Sequence, residues 1–138
     1  MIIKALRDFF SECPYLSDGY INVDYLPPAA VEYSIEPLPT DAVIRRYTDG
    51  ATLKKYDFVF AARLQYTEEL FRNIENNLLF ENITQWLEEK CAAGELVKLD
   101  DGKFVQSIEV TSSGYCFSED GNDTAAYQMQ CRLVYYQI

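Results

Sequence analysis

A run of helical spacing from Ile74 to Gly94 constrains this chain more than any other feature, because strand-like sequence lies on both sides of it. Leu79, Ile83, Trp86, Leu87 and Cys91 recur on one side of such a helix, and Leu78 and Phe80 widen the stripe. Glu88, Glu89 and Lys90 fill the opposite side near its end, and Gly94 stands where a left-handed C-terminal cap belongs. A helix in that position, with the only tryptophan at its centre, packs across a sheet made from both halves of the chain. At 138 residues and 49% apolar, the chain reads as one domain, 1–138, able to form a core without disulfides or metal.

The flanking segments supply the rest of the fold. Ile2, Ile3, Leu6, Phe9, Phe10 and Cys13 follow helical spacing, with Lys4, Arg7, Asp8 and Glu12 outward, so an amphipathic helix over Ile2–Cys13 is expected, stopped by Pro14. Ser17-Asp18-Gly19 is turn chemistry. Two short strands follow, one carrying Ile21, Val23 and Tyr25 and one from Val31 to Glu36, with prolines around both that suit a sheet edge. Val43–Thr48 and Ala51–Tyr66 read as a hairpin turned by Asp49-Gly50. In its second arm Phe58, Phe60, Ala62, Leu64 and Tyr66 share one face, while Val59, Ala61, Arg63 and Gln65 share a half-exposed one. Thr67 is a possible helix cap. Phe104, Ile108 and Val110 mark a further strand that continues through Tyr115 to a polar loop at 118–124. The clearest strand is the last, where Tyr127, Met129, Cys131, Leu133 and Tyr135 alternate with polar residues. The expected class is α+β: an antiparallel β-sheet packed by one long helix, at about 75–93, and by an N-terminal amphipathic helix.

Charge and residue content narrow the chemistry. Twelve basic against 22 acidic residues leave a net charge of −10, which repels phosphates and disfavours nucleic-acid recognition and anionic membranes. No histidine is present, so histidine-based triads, general acid–base work and metal sites are excluded. Phosphate-cradling glycine motifs are missing too. The four cysteines (Cys13, Cys91, Cys116, Cys131) lack metal-ligand spacing and are expected as free thiols in a reducing cytoplasm. The opening Met1-Ile2-Ile3-Lys4 does not read as a signal peptide, and no run has the length of about 20 apolar residues that spans a bilayer. The acidic stretch 119–123 lacks calcium-loop spacing and reads as a turn. No enzyme, cofactor or metal site is expected.

Candidate functional residues are therefore surface ones. Arg45, Arg46, Lys54 and Lys55 gather positive charge on one hairpin of an acidic chain. Such charges either keep an edge strand soluble or form a docking patch, with Glu88, Glu89 and Asp120 as acidic counterparts on a neighbouring copy. Tyr47, Tyr56, Tyr66, Tyr135 and Tyr136 fall on strand faces where tyrosine suits an interface.

Asn73-Ile74-Glu75-Asn76, Trp86-Leu87-Glu88, Gln106-Ser107-Ile108-Glu109, Ser113-Gly114-Tyr115 and the final strand Tyr127–Tyr136 give the chain a further likeness. It resembles small prophage proteins labelled minor capsid proteins, similar to the tail-terminator (tail-completion) family of long-tailed bacteriophages. That resemblance implies a structural virion protein, made in the host cytoplasm, that forms a ring, usually a hexamer, at the head-proximal end of the tail. Its implied partners are copies of itself, the tail-tube protein and the head-completion or connector protein. A reading of another class is a small acidic intracellular binding module, such as an inhibitor or immunity protein meeting a basic surface.

Overall fold

The computed structural model describes residues 2–16, 21–26, 32–65, 70–120 and 124–138. Helix α1 (Ile2–Phe10) is followed by a short 3-10 turn at Pro14–Leu16 and strands β1 (Ile21–Val23), β2 (Glu32–Pro37), β3 (Val43–Arg46) and β4 (Thr52–Gln65). Helix α2 (Leu70–Ala93) then leads to β5 (Lys103–Asp120) and β6 (Thr124–Gln137). The six strands form one sheet in the order β1-β2-β4-β6-β5, and β3 joins it beside β4. Strand β4 is long enough to hold two partners on one edge: β2 pairs with 58–63 and β3 with 52–54. The α+β class is as expected, but the sheet is mixed rather than antiparallel throughout. Strands β1 and β2 run parallel, with Ile21 beside Tyr33 and Val23 beside Ile35, and every other pairing is antiparallel.

Both helices differ from expectation at their ends. Helix α1 stops at Phe10 rather than Cys13, and a tightened last turn carries the chain on, with Cys13 N–H bonded to the Phe10 carbonyl at 3.0 Å. Cys13 is buried all the same. Helix α2 begins at Leu70, earlier than about 75, despite the asparagines in its first turns. One of them is used structurally: Asn76 is buried and its Nδ2 donates to the Tyr127 hydroxyl at 3.4 Å. The C-terminal end is as the sequence suggests. Gly94 has φ +73°, Glu95 N–H reaches the Lys90 carbonyl at 3.0 Å and Gly94 N–H the Cys91 carbonyl at 3.2 Å, the paired bonds of a Schellman cap.

One face of the sheet carries the core. Phe58, Phe60, Ala62 and Leu64 of β4 align with Tyr127, Met129, Cys131, Leu133 and Tyr135 of β6, and all are buried. Helix α1 lies over the β2–β4 side, its Phe10 ring 5.1 Å from Phe60 and 6.0 Å from Phe58. Helix α2 contributes Phe80, Ile83, Trp86 and Leu87. Trp86 is buried as the spacing predicts, but its ring partners are Phe9 and Phe10 of α1, at 5.0 and 6.0 Å, so it joins helix to helix. Leu78, read as part of the buried stripe, is exposed.

Hairpin β3–β4 forms as expected, through a different turn. Only Gly50 takes positive φ (+90°); Gly50 N–H bonds the Tyr47 carbonyl at 3.1 Å and Tyr47 N–H the Ala51 carbonyl at 2.9 Å. Asp49 contributes through its side chain, Oδ1 accepting from Ala51 N–H at 3.0 Å. Strand β5 continues through Tyr115 as expected and runs on to Asp120, past the expected start of the polar loop at 118. The turn at 17–19, the cap at Thr67, Tyr66 and the loop 121–123 lie outside the described residues.

Candidate functional site

Strand alternation separates charges that the sequence places side by side. Arg45 is paired with Leu53, and Arg46 with Thr52, so the two arginines stand on opposite faces of β3. Lys54 and Lys55 divide in the same way, Lys54 toward the helix-bearing face and Lys55 away from it. The expected four-cation patch is therefore two pairs. Lys54 Nζ donates to Gln137 Oε1 at 2.7 Å, and Lys55 Nζ lies 3.3 Å from Asp57 Oδ2, so both lysines are engaged within the fold. Arg45 and Arg46 are exposed, and Arg45 stacks over Tyr47 at 5.5 Å. Glu88 and Glu89 are exposed on α2, with Glu89 accepting from Gln85 at 3.3 Å. Asp120 ends β5, and its side chain lies outside the described residues.

The face of the sheet that carries no helix, among the described residues, has a definite order. Its centre is a charge row: Glu109, Arg132 and Asp57 are successive neighbours across β5, β6 and β4. Asp57 is buried at 7% exposure and accepts from Arg132 Nε at 2.8 Å and Thr40 Oγ1 at 2.8 Å, with Lys55 as a third partner. Burial alone would raise its carboxyl, but these hydrogen bonds outweigh it and hold the group below the usual carboxylate range. Its backbone carbonyl also accepts from Leu38 N–H at 2.9 Å, so one residue pins the 38–40 segment between β2 and β3 to the sheet. Beyond this row lie Val59 and Ala61, buried rather than half-exposed as expected, with buried Ser34 and Ala126 beside them, while Arg63 is half-buried as expected. Their side chains are short and stand beside longer ones in register, Gln130 and Glu36 at Val59 and Gln128 at Ala61.

On the other side of the charge row the face ends in aromatic residues. Phe104, Tyr136, Leu53 and Arg45 are successive neighbours across β5, β6, β4 and β3, and Tyr47 packs its ring 6.0 Å from Tyr136. A side-chain hydrogen bond to Tyr136, ahead of burial, raises the Tyr47 phenol above its ordinary value. Phe104 is 56% exposed. Strict alternation would put Phe104 on the same face as Ile108, but an extra residue, Gln106, shifts the register between them and turns Phe104 outward. Of the tyrosines, Tyr47 and Tyr136 belong to this surface, whereas Tyr135 is buried on the core side and Tyr56 packs near Phe58.

Two clefts lie elsewhere. One of about 740 Å³ runs between α1 and the chain after α2; among the charges lining it, Lys4 pairs with Asp8 at 3.0 Å and Lys90 with Glu95 at 2.8 Å. The other, about 520 Å³, follows α2 from Asn77 to Glu88 and has Gly114 in its wall. Among the described residues no three His, Cys, Asp or Glu side chains cluster as metal ligands. Cys13, Cys91 and Cys131 are free thiols; burial pushes Cys131 far above the ordinary thiol range, and the Cys91 thiol donates to the Ile108 carbonyl at 3.2 Å. No described helix is long and apolar enough to cross a membrane. The chain matches no family model and no curated protein.

Proposed function

We propose that this protein is a non-catalytic structural component, a phage tail terminator that assembles as a ring, caps the tail tube and joins it to the head connector. The observation that carries this reading is the two-sided sheet. One face is closed by α1 and α2, while the other presents a charge row and, beyond it, the row Phe104–Tyr136–Leu53, in which Phe104 is exposed and Tyr136 and Leu53 are half-buried. A face stiffened by the cross-strand Asp57–Arg132 ion pair and edged with aromatic side chains suits docking against protein, since aromatic residues dominate interface energetics. The net charge of −10 suits a ring whose wall gives passing DNA no counter-charge. The proposed partners are further copies, the tail-tube protein and the connector, and the proposed location is the head-proximal end of the tail.

The test is the particle itself. Antibody against this chain is expected to label purified virions at the head–tail junction, and deletion of its gene is expected to leave free heads beside tails of uncontrolled length. Normal virions after deletion, with no protein in purified tails, would favour the acidic binding-module reading instead.

A further inference from the structure

Two surface apolar patches on this chain complement each other in charge. The first is the aromatic corner, where Phe104 is exposed, Tyr136, Leu53 and Tyr47 are half-buried, and the exposed charge in the row is Arg45, Lys55 of the next row being paired with Asp57. The second is on the early turns of α2, where Ile74 and Leu78 are 51% and 47% exposed, one turn apart. Glu81 continues that line and Glu75 flanks it, both exposed, so this strip is apolar with an acidic border.

We propose that the aromatic corner of one copy seats on the Ile74–Leu78 strip of α2 in the next copy, a contact that rests on the self-assembly reading above. Like-with-like pairing is disfavoured for both patches. Two corners face to face bring Arg45 against Arg45, and two strips bring Glu75 and Glu81 against their own kind. Corner on strip places Arg45 beside the glutamates and removes Phe104, Tyr136, Ile74 and Leu78 from water together. The corner belongs to the helix-free face and α2 covers the opposite one, so a neighbour seated on the corner leaves the strip open. The contact is therefore head-to-tail, which closes into a ring when the rotation between copies permits.

The experiment places the photo-reactive residue p-benzoylphenylalanine at position 104 of the full chain, where the exposed side chain tolerates the change. Isotopically heavy and light protein are mixed, irradiated both free and in assembled tails, and the products are mapped by mass spectrometry. Heavy–light cross-links from position 104 into residues 74–85 are expected in at least one of the two samples. Leu78→Glu, at an exposed site that leaves the thermal midpoint unchanged, is expected to lower that yield roughly tenfold or more, the effect of about 1.4 kcal/mol of lost contact. Heavy–light products that map to any other segment, a yield insensitive to Leu78→Glu, or cross-links confined to one chain in both samples each overturn the contact. The terminator reading falls separately, on absence from purified virions.

Discussion

Strand β6 has two neighbours and treats them differently. Against β4 it pairs residue for residue over 14 positions, from Thr52 beside Gln137 to Gln65 beside Thr124. Against β5 the same 14 residues face 18, and the register shifts four times. The unbroken ladder preserves strict alternation, so Phe58, Phe60, Tyr127, Met129 and Cys131 all reach the core while Asp57 and Arg132 meet on the other side. The irregular ladder lets β5 change which side chains face inward. At one of its shifts Gly114 lies under α2 so closely that a Cβ there would come within 2.4 Å of Phe80 Cγ. Regular pairing builds the core, and irregular pairing fits the sheet edge to the helix. The bulges also leave β5 a poor template for another strand, which protects a long edge.

The comparison breaks most visibly if the regular flank is hollowed. Phe60→Ala, at a fully buried position between Phe10 and Tyr33, is expected to cost about 3–5 kcal/mol in denaturant unfolding. A loss below about 1 kcal/mol would place the core elsewhere. The irregular flank is tested by Gly114→Ala, where the added methyl collides with Phe80 and is expected to cost about 1–3 kcal/mol. Combined with Phe80→Ala, the two changes should sum to less than their separate costs, because the second removes what the first strikes. The smallest effect concerns acid. The folded-state carboxyl of Asp57 titrates below its unfolded value, so its stabilising contribution is complete above about pH 4 and is lost as pH falls through the lower folded value. Asp57→Asn should therefore flatten the acid limb of the stability profile; an unchanged limb would mean the charge row adds nothing.

Legibility in the sequence follows the same division. Strands β4 and β6 alternate without interruption, and the hydrophobic face could be read residue by residue. Helix α2 was legible at its capped end, where Gly94 and the Ile83–Trp86–Leu87 stripe agree, and less so at its start, where Ile74 and Leu78 stay exposed while Asn76 goes inside. Each bulge in β5 resets the parity, so Phe104 could not be placed on its face from spacing alone. The parallel pairing of β1 with β2 depends on tertiary contact and has no local signal. For the candidate site, the basic residues were visible, but their division between two faces is a consequence of register. The aromatic row joins the β3–β4 hairpin to β5 and β6 across a long stretch of chain, and no local window contains it.

The place of β6 in the sheet also bears on when the molecule can form. It is the last described strand in chain order, yet it lies between β4 and β5. As the polypeptide leaves the ribosome, β4 has only the short β2 and β3 to join, and one edge of its apolar length stays bare until residues 124–137 emerge. Pairings that span so much sequence close slowly, because a long loop must be ordered before its contacts form. A nascent or truncated chain ending before β6 would present two unpaired strand edges to its surroundings, the form most prone to aggregate and to occupy chaperones. Completion of the sheet thus waits on residues 124–137, and any surface that depends on β6, the aromatic corner included, exists only once they are in place.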